Sequence, residues 1–216
     1  MPTINYKLQD GTRVSGVTTI CKNIGWNVEP LLWWANQEGL AGRSHRDTAK
    51  KAADAGTIAH YLFWCHIHNQ EPDMTPYITM KEEIGKAETS FLNFLEWLKM
   101  VNFRVKATEV HLVSEQHKFG GTPDVIGWIT DKLAIIDWKT GSGIYEDQLI
   151  QLCAYFRLWE EVYPEEPLTG GFHIIRINKE DAGFDHKHRD FIPEAWDAFL
   201  HALELHNLHK IIKRRL

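Results

Sequence analysis

The chain has 216 residues, 44% of them apolar and 25% charged, proportions that exclude a disordered chain, a collagen-like fibre and a disulfide miniprotein. A net charge of −5 excludes a basic footprint over the whole chain, although Arg43, Arg46, Lys50 and Lys51 form one local basic stretch and Lys210, Lys213, Arg214 and Arg215 another. No apolar run approaches the ~20 residues of a membrane span, the first residues carry no secretory apolar stretch, and three scattered cysteines predict a reducing cytoplasm.

In chain order, the β-branched residues 17–21 predict an extended segment, and Pro30 opens a helical stretch that ends near Gly39. Residues 47–69 predict a long helix with Asp47 as N-cap and Ile58, Leu62, Phe63 and Cys65 on its apolar side. Gly56 inside it costs roughly 1 kcal/mol relative to Ala and marks close packing. Residues 80–101 predict a helix through Ile84, Ala87, Phe91, Phe94, Leu95 and Leu98. Residues 103–114 then alternate, with Val105, Ala107, Glu109 and His111 on one side. Strands are expected over 122–129 and 133–139 around a turn at Thr130-Asp131, followed by a helix over 145–162, a strand over 171–177 and a helix over 193–211. His173, His186 and His188 fall on that last strand and a solvated loop after it, and His66 and His68 read as surface histidines. This order predicts one α/β domain over 1–216, a central mixed β-sheet flanked by helices. It divides into a mainly helical N-terminal part (1–102), a sheet core (103–190) and a C-terminal helix (191–216).

The chemistry is concentrated around the predicted hairpin. With Thr130-Asp131 at its tip, Asp124 falls opposite Asp137, with directly opposed Cβ atoms ~4.5–5.5 Å apart. Lys139, two residues beyond Asp137, shares its face. Opposed carboxylates repel, and a hard divalent cation such as Mg²⁺ or Mn²⁺ relieves the repulsion. Asp137 follows Leu133, Ala134, Ile135 and Ile136, an apolar strand in which an unpaired carboxylate is costly. Two carboxylates and a lysine on one face suit attack of water on a phosphodiester.

These residues resemble a known motif. Pro123-Asp124 followed by Asp137-Trp138-Lys139 is similar to the signature of the PD-(D/E)XK nucleases. Gln151 and Tyr155 resemble the QxxxY element of their RecB-like branch, and Gly56, Thr57 and His60 resemble its upstream histidine motif. Glu109 sits where several members carry an acidic residue on the strand before the Asp. Val17-Thr18-Thr19-Ile20 and Leu32-Trp33-Trp34-Ala35 resemble the lead-in of phage and prokaryotic members. The resemblance implies a restriction-endonuclease-like core and one or two Mg²⁺ or Mn²⁺ ions held by His60, Asp124, Asp137, the main-chain carbonyl of Trp138 and Glu109. Lys139 is then the catalytic lysine, and Gln151 and Tyr155 contact DNA or brace the site.

The implied function is a metal-dependent DNA nuclease, an exonuclease on DNA ends or single strands in recombination, repair or processing. The alternatives are a structure-specific endonuclease and a non-cleaving DNA-binding subunit. Relatives with an iron–sulfur cluster carry three cysteines near the C-terminus, whereas this chain has none after Cys153, so no cluster is expected. With no Walker A loop, no nucleotide is expected and any helicase or recombination protein would be a separate partner. Trp33 or Trp34 is a candidate to stack on exposed bases. The oligomeric state is not legible.

Overall fold

A computed structural model describes residues 4–215 of the chain. Two short strands with no clear sequence pattern come first, β1 (Tyr6–Lys7) and β2 (Arg13–Gly16). Residues 17–21, expected to be extended, instead form a short helix, α1 (Val17–Cys21). Val17 and Ile20 lie one helical turn apart and both are buried, so packing overrides the β-branched propensity. In α2 (Val28–Leu40), Pro30 occupies the first turn, where its missing N–H leaves no hydrogen bond unmade. Only Glu38 of this helix is buried. It is clasped by Arg43 Nη2 and by the Thr48 hydroxyl, each at 2.7 Å.

The next helix, α3 (His45–Ile67), is capped by Ser44, whose side chain accepts from the Asp47 N–H at 3.3 Å. The expected cap, Asp47, lies in the first turn, where its charge suits the helix dipole. A 3₁₀ turn (Thr75–Tyr77) leads to α4 (Lys81–Met100). The buried line of α4 is Ala87, Ser90, Asn93, Phe94 and Trp97, rotated from the expected apolar stripe. Two polar residues enter it because Asn93 ties a loop down, donating to the Asn178 and Asp181 carbonyls at 2.9 Å and accepting from the Gly183 N–H.

The predicted strand over 103–114 is two strands, β3 (Phe103–Thr108) and β4 (Leu112–Ser114). Register slips between Val105 and Ala107, and Glu109 takes a left-handed conformation (φ 49°) that ends the ladder. β5 (Phe119–Gly121) follows, then the hairpin β6 (Val125–Ile129) and β7 (Lys132–Lys139). Thr130 and Asp131 both have positive φ (50° and 64°), the conformation a two-residue hairpin turn requires. The remaining elements are α5 (Glu146–Val162), β8 (Phe172–Ile177), β9 (Phe184–Arg189) and α6 (Pro193–Lys213). The loop expected after β8 is thus strand β9, whose charged edge residues conceal it in the sequence.

The result is an α/β fold with mixed sheets flanked by helices. The larger sheet has the order β3-β6-β7-β8-β9, and the smaller β1-β2-β5-β4. The pairs β7/β8 and β2/β5 are parallel and the others antiparallel. One core cluster packs α5 and α6 on Leu133, Ile135, Phe172 and Ile174. A second packs α3 and α4 on Ala134, Ile136, Trp138 and Ile175. Alternate residues of β7 therefore serve opposite faces. No helix among the described residues is long and apolar enough to cross a membrane.

On the α4 face, Trp97 Nε1 donates to His186 Nδ1 at 3.2 Å, and His186 Nε2 lies 2.7 Å from His173 Nδ1. An indole N–H can only donate, so His186 keeps its proton on Nε2 and passes that bond to His173. Burial, and then the His186 and His188 imidazoles, push His173 down from 6.5 to about 4. As pH falls below the ordinary histidine value, the unfolded chain takes up protons that the folded chain refuses, and stability is lost. Between about pH 7 and pH 5 this contribution is expected to fall by about 2 kcal/mol. Urea unfolding of wild type and His173→Gln across that range checks it: the difference between them should shrink on acidification.

Candidate active site

Strand β7 supplies the centre of the site. Asp137 and Lys139 continue the face that carries Leu133 and Ile135, toward α5, while Trp138 between them goes into the α3–α4 core. The hairpin register places Val125 opposite Ile136, so the next pair beyond it is Asp124 and Asp137, as expected from the turn. Asp124 lies just before the start of β6 and its Oδ2 accepts from the Trp138 backbone N–H at 3.1 Å. The two carboxylates are thereby held at one end of the same ladder.

Asp137 is 2% exposed. Burial pushes its pKa up to about 6; Lys139 pulls it down and the Asp124 charge pushes it further up. Lys139 Nζ touches Asp137 Oδ2 at 2.6 Å, off the direction of a hydrogen bond, so that buried oxygen has a charge beside it but no aligned donor. Burial opposes the Lys139 charge, but Asp137 and Asp124 together outweigh it and hold the ammonium above its ordinary pKa. The carboxylate is thus the strained partner and the ammonium the satisfied one.

The helix α5 holds the lysine from the other side. Lys139 Nζ donates to Gln151 Oε1 at 3.3 Å, and Gln151 Nε2 donates to the Tyr155 hydroxyl at 2.9 Å. Burial, and then the Asp137 charge, raise the Tyr155 phenol far above its usual range, so it stays protonated. Gln148, a turn earlier on α5, caps its own helix, accepting from the Tyr145 N–H at 3.2 Å.

From α3, His60 Nδ1 stands 3.8 Å from Asp124 Oδ2. Gly56, one turn earlier, meets Thr140: a Cβ there would lie 2.8 Å from Thr140 Oγ1. The expected close packing is therefore against a side chain of the site's own loop. Glu109 is exposed, and its N–H donates to the Asp124 carbonyl at 3.0 Å. It reaches the site from a break after β3, not from a strand face as expected.

The residues expected to hold metal, act in catalysis or brace the site, His60, Glu109, Asp124, Asp137, Trp138, Lys139, Gln151 and Tyr155, line one cleft of about 930 Å³. Further residues on its wall had no site role in the sequence reading, among them Tyr6, Thr18, His111 and Thr122. Thr18 comes from α1 and lies 3.5 Å from Gln151 Nε2. Thr122 meets both the Tyr6 hydroxyl at 2.8 Å and His111 Nδ1 at 2.9 Å. A Cβ on Gly120 would run into the Tyr6 ring, and one on Gly121 would lie 2.6 Å from Tyr155 Cε1 and 2.8 Å from Leu158 Cδ1. The two glycines before Thr122 were the available signal, since each admits one tyrosine to the cleft.

Among the described residues, no group of three or more His, Cys, Asp or Glu stands close enough together to hold a metal ion as placed. Asp137 is engaged by Lys139 and Asp124 by the Trp138 N–H. The donor chemistry nevertheless fits a hard divalent cation: two opposed carboxylates, an imidazole, and a buried carboxylate oxygen without an aligned donor.

No family model and no curated protein matches the sequence. Among solved structures, the chain is similar to one described as the crystal structure of SSO0001, at 15% identity over 82% of this chain and 83% of that one. The TM-score of 0.34 is too low to carry an argument about fold or site.

Proposed function

We propose that the chain is a metal-dependent DNA nuclease of the PD-(D/E)XK type, RecB-like branch, acting as an exonuclease on DNA ends or single strands. The observation that carries this reading is the buried Asp137, opposed to Asp124 across the hairpin and touched by the Lys139 ammonium. Burying such a carboxylate is unfavourable unless a cationic group uses it, so the arrangement is the kind that stability alone does not select. The motif resemblance of Pro123-Asp124, Asp137-Trp138-Lys139, Gln151 and Tyr155 supports the same class.

Asp124, Asp137 and His60 would hold a Mg²⁺ or Mn²⁺ ion, with the Trp138 carbonyl and Glu109 as further ligands. When bound, such an ion neutralises phosphoryl charge and acidifies water. Lys139 keeps its proton on Nζ and presents positive charge to the phosphate as negative charge grows there. Gln151 fixes where that ammonium sits, and Tyr155 fixes Gln151. Thr18 closes the same wall. A reducing cytoplasm, in keeping with three free cysteines, and a separate helicase or recombination partner complete the reading.

Incubation of the purified protein with linear single- and double-stranded DNA, with and without Mn²⁺, tests it. Linear DNA should be degraded only with the metal, covalently closed circles should survive, and Lys139→Ala should lower the rate by about 10³-fold or more. Cleavage of closed circles would move the assignment to an endonuclease. Binding without Mn²⁺-dependent cleavage, or full activity in Lys139→Ala, would remove the nuclease assignment.

A further inference from the structure

Phosphodiester hydrolysis needs carboxylates and a lysine; it has no use for a wall of aromatic rings. The cleft has one. Tyr61 and Trp64 from α3 and Tyr77 from the 3₁₀ turn all line it, half-buried. These rings are held in place. The Tyr61 hydroxyl accepts from the Asp73 N–H at 2.9 Å, and its ring lies 6.0 Å from that of Tyr77. Trp64 has one face covered by the His68 ring at 4.2 Å. His68 is itself pinned, because its Nδ1 must donate to the Trp64 carbonyl, 2.8 Å away. Neither Trp33 nor Trp34, the tryptophans suggested by the sequence, lines the cleft.

The charge of the cleft points the same way. Glu109, Asp124 and Asp137 face it against the single ammonium of Lys139, so phosphate attraction alone binds a strand poorly. Aromatic faces supply affinity that does not depend on phosphate charge. A base inside a duplex has both faces covered by its neighbours and can offer one to a ring only by leaving the stack.

We propose that Tyr61, Trp64 and Tyr77 form a stacking subsite for an unpaired nucleobase, so that the strand entering the cleft is single-stranded there. This rests on the reading of the cleft as a nucleic-acid site and adds the form of the substrate.

Binding is measured by fluorescence anisotropy under chelation, where no cleavage occurs. The probes are a short labelled oligothymidylate, an abasic strand of the same length and phosphate count, and a blunt duplex. Wild type should bind the oligothymidylate about tenfold tighter than the abasic strand, and the duplex less tightly than the oligothymidylate. Trp64→Ala should erase most of the base preference and Trp64→Phe should keep most of it. Equal binding of the base-bearing and abasic strands by wild type overturns the proposal whatever the variants do. So does a preference that survives both Trp64→Ala and Tyr61→Ala. Mn²⁺-dependent cleavage without base preference removes this inference alone, and base-dependent binding without cleavage removes the nuclease reading alone.

Discussion

Asp137→Asn is expected to lower DNA cleavage by about 10³-fold or more while the protein stays folded. The amide keeps the shape of the buried carboxyl but neither its charge nor its second acceptor, and Lys139 loses the group it touches at 2.6 Å. Cleavage rates and circular dichroism of the two proteins check the result; a variant within tenfold of wild type would mean that this carboxylate is not part of the reaction. The same substitution has a pH signature without metal. In the fold, Asp137 titrates at about 6, against 3.8 for an ordinary carboxyl. The folded chain therefore binds the extra proton, and Asp137 stabilises the protein as pH falls from about 7 to about 5. His173 acts with the opposite sign over the same window. The two partly cancel in wild type, and Asp137→Asn should expose a steeper loss of stability on acidification, measured by urea unfolding under chelation.

Gly121→Ala is expected to cost about 3 kcal/mol and to reduce cleavage together with stability. Its Cβ would press on Tyr155 Cε1 and Leu158 Cδ1, both of them buried in the α5 core. Displacing Tyr155 releases the Gln151 amide and with it the hold on Lys139. Gly120→Ala presses instead on the root of the Tyr6 side chain, so relief requires the two-residue edge strand β1 to shift as a unit rather than the α5 core to open. Its cost to thermal stability should be the smaller of the two. Equal losses would show that the Tyr155 contact does not govern this segment.

The hairpin and its opposed carboxylates were legible because a two-residue turn leaves only one register, and Thr130-Asp131 marked the turn. The long helices were legible because their apolar stripes repeat. What failed depended on partners distant in sequence. Residues 17–21 read as extended from their β-branched side chains, yet burial of Val17 and Ile20 makes them helical and brings Thr18 to Gln151. Glu109 read as part of an alternating strand, but alternation cannot show a register slip or a left-handed residue. β9 was missed because an edge strand one face of which meets solvent reads as a polar loop. Tyr6 carried no signal of its own; Gly120 was the only mark that a ring lies there.

Trp138 ties the chemistry to the back of the sheet. Its backbone lies between the two reactive side chains, and its indole lies 5.4 Å from Phe94, 5.7 Å from Phe63 and 6.4 Å from Trp97. The floor under Asp137 and Lys139 is thus riveted to α4, none of whose residues lines the cleft, and to α3, which supplies His60, Tyr61 and Trp64 to its wall. Tuning of the reaction from behind follows: a change of ring size at Phe94, wholly hidden from any substrate, tilts the rivet and with it the spacing of the reactive pair.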